Sequence, residues 1–173
     1  MTKLALAAAL SGAMWGSACG YHVSGRADLI PKNIKTIAVP AFGNITTRYQ
    51  LARLLPEDIT REFISRTRYR VVADPAQADA VLTGSVINFV ALPTTFDPSS
   101  GRGTGVQAMV TLQLTLTDRM TGKVLWSQPG AVYRERYEIS IDPQKYFDES
   151  GTAMIRLSQD VARSVVGAVL EQF

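Results

Sequence analysis

Few side chains in this 173-residue sequence can serve as nucleophiles or metal ligands, and their scarcity narrows the chemistry open to it. Cys19 is the only cysteine and His22 the only histidine. A Ser–His–Asp or Cys–His arrangement can be assembled only through His22, and no metal-ligand spacing occurs. His22 itself reads as a surface or pairing residue. Glu135 and Glu138 are the carboxylate pair that could do acid–base work, and they read as a solvated pair. The run Gly101-Arg102-Gly103-Thr104-Gly105 has the composition of a phosphate cradle. It lies between two strand patterns with no helix amino terminus after it, so dinucleotide and P-loop geometries are closed to it. The expectation is a protein that is not an enzyme and that holds no metal and no cofactor beyond a covalent group on Cys19.

The case for that group is positional. One cysteine cannot close an internal disulfide, and a lone cysteine in an exported protein calls for modification, intermolecular pairing or a free thiol. Lys3 supplies a positive amino-terminal region, residues 4–10 open an apolar run that reaches Trp15, and Gly16-Ser17-Ala18 are small. The run is too short for the roughly 20 residues that span a bilayer. Residues 1–18 therefore read as a signal peptide. The cleavage region resembles a bacterial lipobox: Ala18 and Ser17 suit their positions, whereas Gly16 departs from the usual aliphatic residue. Cys19 is then the lipidated first residue of the mature chain, and residues 19–33 form a lipidated lead-in. Gly20 stands where aspartate would retain a lipoprotein at the inner membrane, so it points to the outer membrane. Several acyl chains give stable membrane attachment where one is marginal.

The elements that follow must build the rest. Apolar residues make up 46% and charged residues 19%, a globular balance. Removing residues 1–18 takes away Lys3 alone and leaves 17 basic against 15 acidic residues. With no dense basic block, nucleic acid is not an expected partner. Residues 34–42 read as a strand whose pairing ends at Pro40. Tyr49–Arg66 reads as a helix with Leu51, Leu55, Ile59 and Phe63 on one stripe and Asp58 on the opposite face, kinked or restarted at Pro56. Residues 69–72 and 79–92 read as strands, the second changing parity near Val86-Ile87 as a bulge or two-sided burial would require. Residues 93–105 read as a flexible loop. Residues 106–118 alternate most clearly: Val106, Ala108, Val110, Leu112, Leu114 and Leu116 on one face, polar residues on the other, with Met109 the one apolar exception. A hairpin turn at residues 119–122 leads to a strand at 123–127. After a break at Pro129-Gly130 comes another strand at 131–139, with Arg134 and Arg136 on one face and Tyr133, Glu135 and Tyr137 on the other. Residues 152–173 read as the terminal helix. The fold expected is α/β of the α+β kind, a two-layer sandwich with two helices on one face of a small mixed, largely antiparallel sheet, as one domain over residues 34–173.

Cys19-Gly20-Tyr21-His22-Val23-Ser24-Gly25 resembles the mature start of the LptE family of lipopolysaccharide-assembly lipoproteins. Ile34-Lys35-Thr36-Ile37-Ala38-Val39-Pro40, Arg61-Glu62-Phe63, Tyr69-Arg70-Val71-Val72, Ala78-Asp79-Ala80-Val81-Leu82-Thr83-Gly84 and the hairpin leading to Val124-Leu125-Trp126 extend the resemblance over nearly the whole mature chain. The resemblance implies a non-enzymatic outer-membrane protein facing the periplasm and a barrel lumen. It implies a plug inside an LptD-like β-barrel and a binder of lipopolysaccharide. Of the family's residues only Cys19 carries over. Lipid A phosphates call for converging Arg or Lys donors, which makes Arg119 with Lys123, and Arg134 with Arg136, the candidate lipopolysaccharide-binding pairs. The polar sheet face and exposed loops such as 93–105 are the expected barrel contacts, since barrel lumens are polar. The alternative is another outer-membrane lipoprotein, acting as a periplasmic activator or secretion accessory.

Overall fold

A computed structural model describes residues 31, 33–140 and 149–171. Cys19, His22 and the segment read as a signal peptide lie outside them. The described chain runs β1 (Thr36–Ala38), β2 (Gly43–Asn44), α1 (Tyr49–Arg66), β3 (Arg70–Val72), a 3-10 turn (Pro75–Gln77), β4 (Ala80–Phe96), β5 (Gly103–Asp118), β6 (Val124–Glu138) and α2 (Ser150–Glu171).

The strands form one open, mixed six-stranded sheet in the order β3-β1-β4-β5-β6, with β2 alongside β4. β1 is parallel to β3 and β4, β2 is parallel to β4, and the long β4–β5–β6 meander is antiparallel. Both helices cover one face, so the architecture is the expected two-layer α+β sandwich. The alternation of β5 shows why. Val106, Ala108, Val110, Leu112, Leu114 and Leu116 are buried under the helices, whereas Gln113 on the other face is exposed. Leu51, Leu55, Ile59 and Phe63 of α1 and Leu157, Val161, Val165 and Val169 of α2 complete one core.

Strand β1 ends before Pro40, and the chain returns to β4 as β2. Between them Phe42 lays its ring against Gly84. A Cβ at residue 84 would stand 2.5 Å from the Phe42 ring, so any side chain there must displace the ring. The parity change in β4 is a bulge at Ile87, between the pairs Val86–Leu112 and Asn88–Thr111.

Several local expectations are corrected. Helix α1 does not restart at Pro56: it is one continuous element with Pro56 inside it and buried. Pro56 has no N–H to offer, so the Ala52 carbonyl lacks its helical donor. Asp58 is buried rather than solvent-facing. It accepts a hydrogen bond from Ser158 Oγ of α2 at 2.6 Å and pairs with Arg61. The break at Pro129-Gly130 is a bulge inside one continuous β6, lying between the pairs Gln128–Leu114 and Ala131–Leu112. Proline is tolerated there because β6 is an edge strand whose outward side needs no donor.

The loop shrinks to residues 97–102, since β4 and β5 stay paired out to Phe96 and Gly103. Its tip is ordered by Asp97. The Asp97 carboxylate accepts from Ser99 N, Ser99 Oγ, Ser100 N and Ser100 Oγ at 2.6–3.1 Å. These donors, the serine hydroxyls foremost, hold its pKa at about 2. Gly101 takes the left-handed backbone the turn needs, with φ of 65°.

Candidate functional site

Pairing divides the cations of the described residues into two populations. On the helices they are neutralised locally: Arg53 with Glu57 at 3.3 Å, Arg66 with Glu62 at 3.2 Å, Arg61 with Asp58, Arg163 with Asp160, and Arg156 with Glu135 at 2.7 Å. On the sheet and its turns Lys35, Arg68, Arg70, Arg102, Lys123, Arg134 and Arg136 are exposed and make no ion pair among the described residues. The sheet is therefore the face with charge available to a ligand.

Arg134 and Arg136 are positioned by β6. Alternation turns Tyr133, Glu135 and Tyr137 toward the helices, where Glu135 receives Arg156 Nε and the Arg136 carbonyl accepts from Arg156 Nη2. The two arginines thereby point to the helix-free face, and α2 holds their backbone from behind. Burial raises the Tyr133 hydroxyl pKa, against a hydrogen bond with Ser164 that lowers it. Glu135 is committed to this ion pair, so the structure does not leave Glu135 and Glu138 as a free carboxylate couple.

Register supplies the neighbours of the arginines. Arg134 lies beside Met109, which lies beside Val90; Arg136 lies beside Gln107, which lies beside Leu92. One step along, Val132 follows Thr111 and Asn88. Cross-strand neighbours stand about 5 Å apart on such a face. The result is an apolar strip of Val90, Leu92, Met109 and Val132 with two unpaired guanidinium groups along its β6 side. Leu92 is 50% exposed and Val132 44%, so the strip is open to a ligand. An apolar floor with cations on one margin fits an amphiphile carrying phosphate or another anion. Arg134 and Arg136 were legible in the sequence; the strip beside them was not, except through Met109.

Arg119 and Lys123 lie at the opposite end of β6. Ten strand residues separate Lys123 from Arg134, a distance of roughly 35 Å, so the two candidate pairs are not one site. Arg119 is also engaged: its Nε donates to the Ala78 carbonyl at 2.6 Å and its backbone N–H to the Asp79 carbonyl at 2.8 Å, clamping the β5–β6 turn to the start of β4. Lys123 has no such tie. The turn between them is built by Asp118, whose carboxylate accepts from Met120 N and Thr121 N at 2.8 and 3.0 Å, the Thr121 bond chief among the causes that lower its pKa.

A groove elsewhere was not foreseen. An open groove of about 660 Å³ runs between α1 and the β1–β2 connection, lined by Val39, Phe42, Tyr49, Ala52, Pro56 and Arg61 among others. The proline within a helical pattern was its only signal. Among the described residues no group of three His, Cys, Asp or Glu side chains is placed to hold a metal ion, and no helix is long and apolar enough to cross a membrane.

The fold class is an open two-layer α+β sandwich with a helix-free, partly apolar, cation-bearing sheet face. Residues 34–168 match the LptE family of lipopolysaccharide assembly, and the chain belongs to that family. No curated protein matches the sequence. Among solved structures, a putative lipoprotein from Caulobacter crescentus is similar, at 15% identity and a TM-score of 0.53 over 79% of this chain and 88% of that one. A protein from Xanthomonas campestris is similar at 13% identity and a TM-score of 0.53, covering 81% and 86% of the two chains. PelC from Paraburkholderia phytofirmans, solved as a dodecamer, is similar at 16% identity and a TM-score of 0.50, covering 79% and 89%. At these identities the likenesses establish the fold.

Proposed function

We propose that this chain is a non-enzymatic outer-membrane lipoprotein, anchored through lipid on Cys19, that supports and plugs an LptD-like β-barrel and binds lipopolysaccharide during its assembly at the cell surface. Family membership supports the assembly role. The observation that carries ligand binding is the helix-free sheet face, where Arg134 and Arg136 border Val90, Leu92, Met109 and Val132. Lipopolysaccharide is an acyl-chain amphiphile with phosphates, so the strip takes apolar chain and the guanidinium groups take phosphate by charge-assisted hydrogen bonds. Arg119 and Lys123 form the second candidate pair, with Lys123 the freer donor. The polar half of the same face, Thr83, Thr115 and Ser127, suits the polar wall of a barrel lumen.

The test is direct binding of labelled lipopolysaccharide to the purified mature chain. Arg134→Glu with Arg136→Glu should weaken it by about tenfold or more, since each charge-assisted bond is worth over 1 kcal/mol. Unchanged affinity in that variant, with loss in Arg119→Glu with Lys123→Glu, would move the site to the other end of β6. A pull-down from solubilised outer membrane should recover a large β-barrel partner, with mass spectrometry reporting lipid on Cys19. Recovery of a cell-wall enzyme instead would favour the activator reading.

A further inference from the structure

Apart from Arg102 at the β4–β5 tip, the sheet's cations that make no ion pair and do not border the apolar strip are gathered at the other end, and a chain of backbone hydrogen bonds fixes their order. Arg70 N donates to the Lys35 carbonyl at 3.0 Å, joining β3 to β1. Lys35 N and Thr36 N donate to the Asp79 carboxylate at 2.8 and 2.9 Å, joining β1 to β4. Arg119 N donates to the Asp79 carbonyl at 2.8 Å, joining β4 to the β5–β6 turn, and Asp118 N donates to the Lys123 carbonyl at 2.9 Å across it. Arg70, Lys35, Arg119 and Lys123 therefore stand in one row along the sheet's end, with Arg68 just before β3. Five strands at about 4.8 Å spacing make the row roughly 19 Å long.

All five cations are exposed. The carboxylates of this end are turned onto local donors: Asp79 onto Lys35 N and Thr36 N, which lower its pKa, Asp118 onto the turn amides, and Asp74 onto Ala76 N. The row's cations are exposed, whereas Asp118 is buried and Asp79 half-buried; Asp74 stays exposed. This is also the end at which the chain arrives from Cys19. β1 begins there, and eleven residues separate Cys19 from Pro31. Extended, such a linker reaches at most about 40 Å.

We infer that this cationic end is a second membrane contact, seating on the anionic phospholipid headgroups of the leaflet that holds the Cys19 lipid. The inference rests on the reading of Cys19 as the tether. Until the domain enters a barrel, a tether alone leaves it free to tumble at the surface. A row of cations adds attraction that falls off within a Debye length and orients the sheet end-on, leaving the apolar strip at the far end, away from the headgroups.

The experiment separates this contact from the tether. The mature chain carrying Cys19→Ser, and hence no lipid, is sedimented with vesicles of phosphatidylethanolamine containing or lacking phosphatidylglycerol. Binding should require the anionic lipid and should fall as salt rises from 50 to 300 mM. Lys35→Gln, Arg68→Gln, Arg70→Gln and Lys123→Gln combined should lower partitioning by about tenfold or more, since each such charge near the surface is worth roughly fivefold. Arg134→Gln with Arg136→Gln should leave it unchanged. Equal binding to both vesicle types, or equal loss in the two variants, would overturn the inference. Lipopolysaccharide binding by the four-residue variant and the mass of wild-type Cys19, measured alongside, report on the ligand site and the tether independently. An unchanged thermal transition shows that the variant is folded.

Discussion

Replacing Gly84 by alanine tests the corner where β1, β2 and β4 meet. The added Cβ would lie 2.5 Å from two carbons of the Phe42 ring and 2.7 Å from a third. A carbon–carbon contact needs about 3.5 Å or more, so the ring must retreat by roughly 1 Å. Phe42 is only 6% exposed and is seated in the core. Overpacking of this kind costs about 1–3 kcal/mol, and relieving a strand of its glycine offsets about 0.5–1 kcal/mol. The net expectation is a loss of about 1 kcal/mol, near 3 °C in Tm for a chain of this size. Trp126 is the assay. It is the only tryptophan left once residues 1–18 are removed, and at 2% exposure its emission shifts red on unfolding in urea. The decisive comparison is the double variant. With Phe42→Ala already in place the clash is gone, and Gly84→Ala should become neutral or stabilising. A stabilised single variant, or an equal cost in both backgrounds, would refute the packing argument.

Ser158→Ala removes the donor to the buried Asp58 carboxylate, and loss of a hydrogen bond to a charged group should cost about 1.5–3 kcal/mol in urea unfolding. Arg119→Ala opens the clamp onto the Ala78 carbonyl and should cost about 1 kcal/mol of stability; a variant as stable as wild type would show the clamp to be idle. The Asp97 tip has a predictable pH response. Its carboxyl pKa is depressed from 3.8 to about 2, so the tip's ordering is fully present above about pH 4 and is lost as pH falls through 2. Amide chemical shifts of Ser99 and Ser100 should titrate with a midpoint near 2, and a midpoint near 4 would show that the serines do not hold the carboxylate in solution.

How much could be read from the residues depended on whether the deciding partner was near in sequence. The two faces of β5 were legible because burial on one side imposes alternation on the side chains themselves. Arg134 and Arg136 were assigned to one face for the same reason. Asp58 was not legible: in its own helix it looks like one more charge on a polar face, and its partner Ser158 is 100 residues away. Pro129 read as a break because proline removes a donor, and only the sheet order shows that no neighbour needs that donor. The turn-rich composition of residues 93–105 concealed Thr94–Phe96 and Gly103–Gly105 as strand, since pairing across the hairpin overrides local propensity. The apolar strip was hinted at by Met109 alone, because Val90, Leu92 and Val132 become neighbours of the arginines only through register.

The Asp58–Ser158 bond has a kinetic consequence. The β4–β5–β6 meander closes through turns of only a few residues, whereas joining α1 to α2 closes a span of 100 residues. Loop-closure entropy makes the second step costlier by about 2.5 kcal/mol. The meander should therefore acquire protection from hydrogen exchange before the two helices dock, and earlier protection of α1 and α2 would reverse this order. Until they dock, the side chains of Val110, Leu112, Leu114 and Leu116 face water. A newly made chain thus passes through a state with a finished sheet and a bare apolar surface, which is the interval when it most needs an escort.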